Sequence, residues 1–143
     1  MSSRSPAALG LSLVARTLIV TNDFPPRTGG IQSMVLALAL RMPASDVVVH
    51  TGRQRGDLAF DATLPFEVVR DPSPLMVPTP RIIRRSAEIL RSRGCQQVWF
   101  GAAAPLALMA PALRTAGAER LVATTYGHEI WWSALPGSRS VMR

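Results

Sequence analysis

The feature that most constrains this chain is the run from Thr17 to Arg41, TLIVTNDFPPRTGGIQSMVLALALR. Thr17 to Val20 is apolar and β-branched, Asn22, Asp23, Pro25 and Pro26 break it, and Gly29 and Gly30 open a helical pattern reaching about Arg41. Strand, loop and helix in that order form the opening unit of a buried parallel sheet. The glycine turn sets backbone N–H groups and the positive end of the helix toward whatever lies above the sheet, and an anion is the natural ligand there. Asn22, Asp23 and Gln32 are nearby polar groups able to orient a sugar or a phosphate. The run has neither the Gly-Lys-Ser/Thr ending of a Walker loop nor the three spaced glycines of the dinucleotide pattern. The plain alternative is that Gly29 and Gly30 only let the chain turn tightly into the helix.

The same alternation continues. Asp46 to Thr51, Phe66 to Arg70, Gln97 to Phe100 and Leu121 to Thr125 read as further strands, rich in β-branched and aromatic residues. Gly52 to Leu64 is polar and glycine-bearing and reads as loop; Asp71 to Pro80, with four prolines, cannot be regular. Arg81 to Arg93 reads as an amphipathic helix preceded by Pro80, with Ile83, Ala87 and Leu90 on one face and Arg81, Arg84, Arg85, Glu88 and Arg91 largely on the other. Pro105 to Ala116 reads as an alanine- and leucine-rich helix ended by Gly117. Strands alternating with helices predict an α/β fold, a Rossmann-like doubly wound parallel sheet whose ligands lie beyond the carboxyl ends of the strands. Two polar clusters, Asn22 to Gly30 and Tyr126 to Glu129, both follow strands and fall on that edge.

A chain of 143 residues, 48% apolar, suits one domain with a sizeable core. The 16 basic residues are arginines and the formal charge is +7, which suits phosphates, anionic lipid or nucleic acid; a coding bias toward arginine produces the same composition. Nucleic acid is not expected, because no helix-turn-helix, RNP aromatic motif or zinc spacing accompanies the charge. A helix of arginines behind an exposed Pro, Leu, Met and Val loop fits a membrane surface, where anionic lipid contributes about 1 kcal/mol per basic residue. It fits an ordinary solvated helix face equally well. The single cysteine, Cys95, rules out an internal disulfide framework and reads as a buried structural thiol in a reducing compartment. Residues 1–15 read as a disordered extension ahead of a domain spanning 16–143, and no run reaches the length of a membrane span.

Three blocks carry a resemblance: TNDFPPRTGGIQS, VWFGAAAPLALMAPALRTAGAERLVATTYGHE and WWSALPG. They resemble the N-terminal domain of GT-B glycosyltransferases, most of all the actinobacterial GDP-mannose-dependent phosphatidylinositol mannosyltransferases of the PimB type. The likeness runs from about Arg16 to Arg143 and extends over the first of that family's two Rossmann-like domains only. It implies mannose transfer with retention from a sugar-nucleotide co-substrate, GDP-mannose, to a phosphatidylinositol-type lipid at the inner, cytoplasmic face of the membrane. Neither a metal nor a further cofactor is implied. By the same resemblance Gly29 and Gly30 match the loop facing the donor diphosphate, Asp23 and Gln32 match its neighbours in the cleft, and Arg81, Arg84 and Arg85 stand where such enzymes meet the anionic membrane and the acceptor headgroup.

The chain departs from the family pattern at two points. The family's histidine after Thr-Thr is Tyr126 here, whereas His128 and Glu129 match the second half of that motif; a tyrosine can donate a hydrogen bond but cannot share a proton near neutrality as histidine does. Tyr126, His128 and Glu129 are therefore the candidate catalytic set, and the bulk of Trp131 replaces a usual glycine nearby. In the family the diphosphate clamp belongs to the second domain, so the 143 residues alone are expected to have negligible activity without a separately encoded second domain. The competing expectation is a non-catalytic Rossmann-like module or truncated remnant that binds anionic lipid or nucleotide.

Overall fold

Runs of β-branched and aromatic residues form the strands of one sheet. In the computed structural model, which describes residues 5–12 and 15–125, these are β1 (Thr17–Val20), β2 (Val47–Gly52), β3 (Glu67–Asp71), β4 (Gln97–Phe100) and β5 (Arg120–Ala123). All pair in parallel, in the order β3-β2-β1-β4-β5. The connecting helices are α1 (Gly30–Leu40), α2 (Asp57–Asp61), α3 (Pro80–Ser92) and α4 (Ala110–Thr115).

Side-chain alternation divides the core in two. Ile19, Val47, Val49 and Trp99 pack with Val35, Leu38 and Ala39 of α1 on one face. Leu18, Val20, Val48, Val98 and Phe100 pack with Ile82, Ile89 and Leu90 of α3 and Leu113 of α4 on the other. β1, β2 and β4 are buried along their whole length, as strands covered on both faces must be. Helices on both faces make the sheet doubly wound, the expected Rossmann-like α/β fold.

Three expectations need correction. Residues 5–12 are not a disordered extension: Leu11 is buried in the α1-side core, and the Gln97 carboxamide accepts from Ser12 N–H (3.0 Å) and donates to Ser12 C=O (2.7 Å). Leu9 packs against the same core and Arg120 donates to Gly10 C=O (2.6 Å), so apolar contact and hydrogen bonds together dock this largely apolar segment. The span Gly52 to Leu64 contains α2, a single turn too short to show periodicity, held by the Asp61 pair with Arg70 of β3, by Asp57 accepting from Gln54 N–H and by the edge-on contact of Phe60 with Phe24. The helix expected over Pro105 to Ala116 is a 3-10 turn over Leu106–Met109 that leads into α4. Cys95 is buried as expected, and burial raises its thiol pKa.

Candidate functional site

The chain leaves β1 toward β2 on one side, and β4 lies on the other, so the carboxyl ends of β1 and β4 flank the crevice where such sheets bind ligands. Gly101 makes that approach possible. Its N–H donates to Val20 C=O (3.1 Å), and a Cβ there would stand 2.6 Å from Thr21 Oγ1 and 3.3 Å from Val35. Thr21 Oγ1 in turn accepts from Asp23 N–H at 2.9 Å, which starts the loop into α1.

That loop is braced from the β3 side. Gln54 accepts from Arg27 N–H and donates to Phe24 C=O, both at 2.7 Å. Arg70, almost wholly buried, donates to Pro25 C=O (2.8 Å) and Gly52 C=O (2.9 Å), pairs with Asp61 of α2 (2.8 Å) and lies over the Phe24 ring. Gln54, Asp61 and Arg70 were not singled out from sequence; a charged residue inside an apolar strand was the signal available for Arg70. The loop reaches Gly29 and Gly30 exposed, with nothing within 4 Å of a Cβ placed on Gly30. No side chain among the described residues caps α1, so its first N–H groups face outward. Gln32 is buried with its carboxamide folded over Gly29, where a Cβ would overlap it. Asp23 lies 3.9 Å from Arg27. The four residues expected around a donor diphosphate, Asp23, Gly29, Gly30 and Gln32, thus share one turn beside the crevice.

Arg81, Arg84 and Arg85 form a second cluster. With Arg70, Asp71, Pro72 and Glu88 they line an open cavity of about 500 Å³ between β3 and α3. The three arginines are not equivalent. Arg81 grips the buried Asp71 with two hydrogen bonds (2.9 and 3.1 Å) and reaches Ser73 Oγ (3.1 Å). Burial alone would push the Asp71 carboxyl up, but hydrogen bonds from Arg81 and the Ser73 N–H, with the Arg81 charge, hold it below the usual range. Arg85 makes an exposed pair with Glu88 (3.1 Å), and among the described residues Arg84 is in no ion pair. Arg81 is committed to the fold, whereas Arg84 is exposed and Arg85 is half-buried beside Glu88.

The candidate catalytic residues Tyr126, His128 and Glu129, and Trp131, lie outside the described residues. The strand that leads to them is fixed: Thr124 Oγ1 accepts from Trp99 Nε1 (2.7 Å), and Thr124 C=O accepts from Ala103 N–H (2.9 Å). β5 therefore ends beside the β4 loop, on the same edge as the glycine turn.

No family model matches the chain. It is 48% identical over 135 residues to the GDP-mannose-dependent monoacylated alpha-(1-6)-phosphatidylinositol monomannoside mannosyltransferase of Corynebacterium glutamicum, an alignment covering 93% of this chain and 35% of that protein. Against the GDP-mannose-dependent alpha-(1-6)-phosphatidylinositol monomannoside mannosyltransferase of Mycobacterium tuberculosis the identity is 46% over 136 residues, covering 91% of this chain and 35% of the relative. Its counterpart in Mycolicibacterium smegmatis is 44% identical over 130 residues, covering 88% and 34%. The chain spans about a third of the length of the curated relatives it matches.

Proposed function

We propose that this chain, a homologue of the GDP-mannose-dependent phosphatidylinositol monomannoside mannosyltransferases, is the acceptor-side Rossmann-like domain of a retaining mannosyltransferase acting on a phosphatidylinositol mannoside lipid. The observation that carries the reading is the identity of 44% to 48% over roughly nine-tenths of the chain. An uncapped, glycine-led helix start beside the crevice supports it.

In this reading the first N–H groups of α1 face the donor diphosphate. Charge grows on that group as the glycosidic bond to the nucleotide breaks, so fixed donors there stabilise the transition state more than the ground state. Asp23 and Gln32 orient the sugar or the diphosphate. Tyr126, His128 and Glu129 are the proposed catalytic set, with the Tyr126 hydroxyl giving one hydrogen bond to the transferred sugar where the family has histidine. Arg84 and Arg85 draw the domain to an anionic membrane at its cytoplasmic face, and Arg81 holds the surface in shape. Transfer needs no metal, so a chelator should leave the rate unchanged.

The test is mannosyl transfer from GDP-mannose to phosphatidylinositol monomannoside in vesicles, with the 143-residue chain alone and with a second-domain polypeptide added. Transfer is expected only on addition. A folded chain that supports no transfer in either case contradicts the reading. That result favours a non-catalytic module binding anionic lipid or nucleotide, a second reading suggested by Tyr126.

A further inference from the structure

Two prolines and two glycines leave the segment from Asn22 to Gly29 without regular structure of its own, so the side chains around it impose its shape. Asp23 N–H, Phe24 C=O, Pro25 C=O and Arg27 N–H are each held by a side chain: Thr21 Oγ1, Gln54 Nε2, Arg70 Nη2 and Gln54 Oε1 in turn. On the far flank Asn22 clasps Met76, its Nδ2 donating to Met76 C=O (2.9 Å) and its Oδ1 accepting from Met76 N–H (2.8 Å). Phe24 is fully buried, with the Arg70 guanidinium 5.5 Å from its ring centroid and the Phe60 ring edge-on at 6.2 Å.

These supports meet at Arg70. One guanidinium spans three elements: it donates to Pro25 C=O of the turn, to Gly52 C=O at the end of β2, and to both carboxylate oxygens of Asp61 in α2 (2.8 and 3.0 Å). Its side chain is 5% exposed and that of Asp61 is 16% exposed. Stability does not call for such a pair, because apolar residues of similar volume often replace a buried ion pair at little or no cost. What a planar fork with fixed donor angles supplies is geometry, and lysine, one ammonium on a flexible stem, does not supply it. α2 serves the same end: Asp57 accepts from Gln54 N–H (2.9 Å) and Arg53 Nε (2.7 Å), which fixes the residue that holds Phe24 and Arg27.

We infer that Arg70, together with Gln54, is a positioning residue for glycosyl transfer: it sets the turn so that the first N–H groups of α1 meet the donor diphosphate as its charge grows. The inference rests on the transferase reading and assigns the residues that orient its donor site. Arg70 acts through the backbone of the turn, and a shift of about 1 Å in such donors costs about a hundredfold in rate.

The two-polypeptide transfer assay, run at limiting and saturating GDP-mannose, tests this. Arg70→Ala should lower kcat about a hundredfold and leave the KM for GDP-mannose within about threefold, the pattern of support realised only in the transition state. Free guanidinium at millimolar concentration should restore much of the loss, and Arg70→Lys should behave as the alanine variant does. Gln54→Ala removes two contacts to the turn and no charge, and should lower kcat about tenfold; it carries the test if Arg70→Ala does not fold. Unchanged kcat in the variants, with transfer by the unmodified pair, overturns the positioning role and leaves the transferase reading standing. A fall that guanidinium leaves in place, or that tracks the fraction of unfolded chain by circular dichroism, assigns Arg70 to the fold alone and overturns the role too. No transfer by the unmodified pair of folded polypeptides overturns both.

Discussion

His50 links folding to pH. It is fully buried on β2, its Nδ1 lies 2.9 Å from Ser86 Oγ, and its Nε2 has no hydrogen-bond partner among the described residues. Burial lowers its pKa to about 4; Asp71 opposes that shift, and Arg85 and Arg81 add to it. In the unfolded chain the ring takes a proton near pH 6.5, so the unfolded state binds more protons between about pH 6.5 and 4. The associated stability is complete above the unfolded value and is lost as the pH falls toward the folded one, by up to about 3 kcal/mol. Urea titrations at pH 7 and pH 5 should show this loss, and His50→Gln should flatten it. The arginines of α3 give a second test at this scale. Arg81→Ser leaves the buried Asp71 carboxylate without its partner and should lower the unfolding temperature clearly, whereas Arg84→Ser should change stability by less than about 0.5 kcal/mol. Thermal unfolding of the two variants separates a tether from a surface charge.

At the scale of elements, α3 shows what a sequence states openly. Thr79 caps it by accepting from Ile82 N–H (3.4 Å), Pro80 occupies its first turn, and Ile82, Ser86, Ile89 and Leu90 are buried while Arg84, Glu88 and Arg91 are exposed. Thr79→Ala should cost about 1 kcal/mol and be measurable by chemical denaturation. The strands were legible for the same reason: β-branched runs bounded by Gly, Pro and Asp left little choice of element. Legibility failed where a contact distant in sequence decides the outcome. α2 is one turn, and among the contacts that hold it are the pair of Asp61 with Arg70, nine residues along, and the contact of Phe60 with Phe24. Residues 5–12 dock through Leu9 and Leu11, through Arg120 on Gly10 C=O and through Gln97, 85 residues from Ser12, which supplies both halves of an amide pair. The glycine turn was visible, but its braces, Gln54 and Arg70, were not. Nor could spacing distinguish Arg81, bound to Asp71, from Arg84.

For the whole molecule, the order β3-β2-β1-β4-β5 brings the glycine turn and the end of β5 to one edge and sets the arginine-lined cavity on β3 and α3. Under the proposed function, that arrangement separates donor chemistry at the crevice from surface attachment at the edge of the sheet. The Asn22 clasp on Met76 joins the two regions through one side chain. The most direct measurement is a chimera in which this chain replaces the matching region of the Corynebacterium glutamicum relative. Mannosyl transfer from GDP-mannose to phosphatidylinositol monomannoside is then followed in vesicles. The account predicts transfer well above that of the remainder of the relative alone, reduced by Gly30→Val, which places a branched side chain in the open space at the start of α1. A folded chimera with no transfer above that background would contradict it.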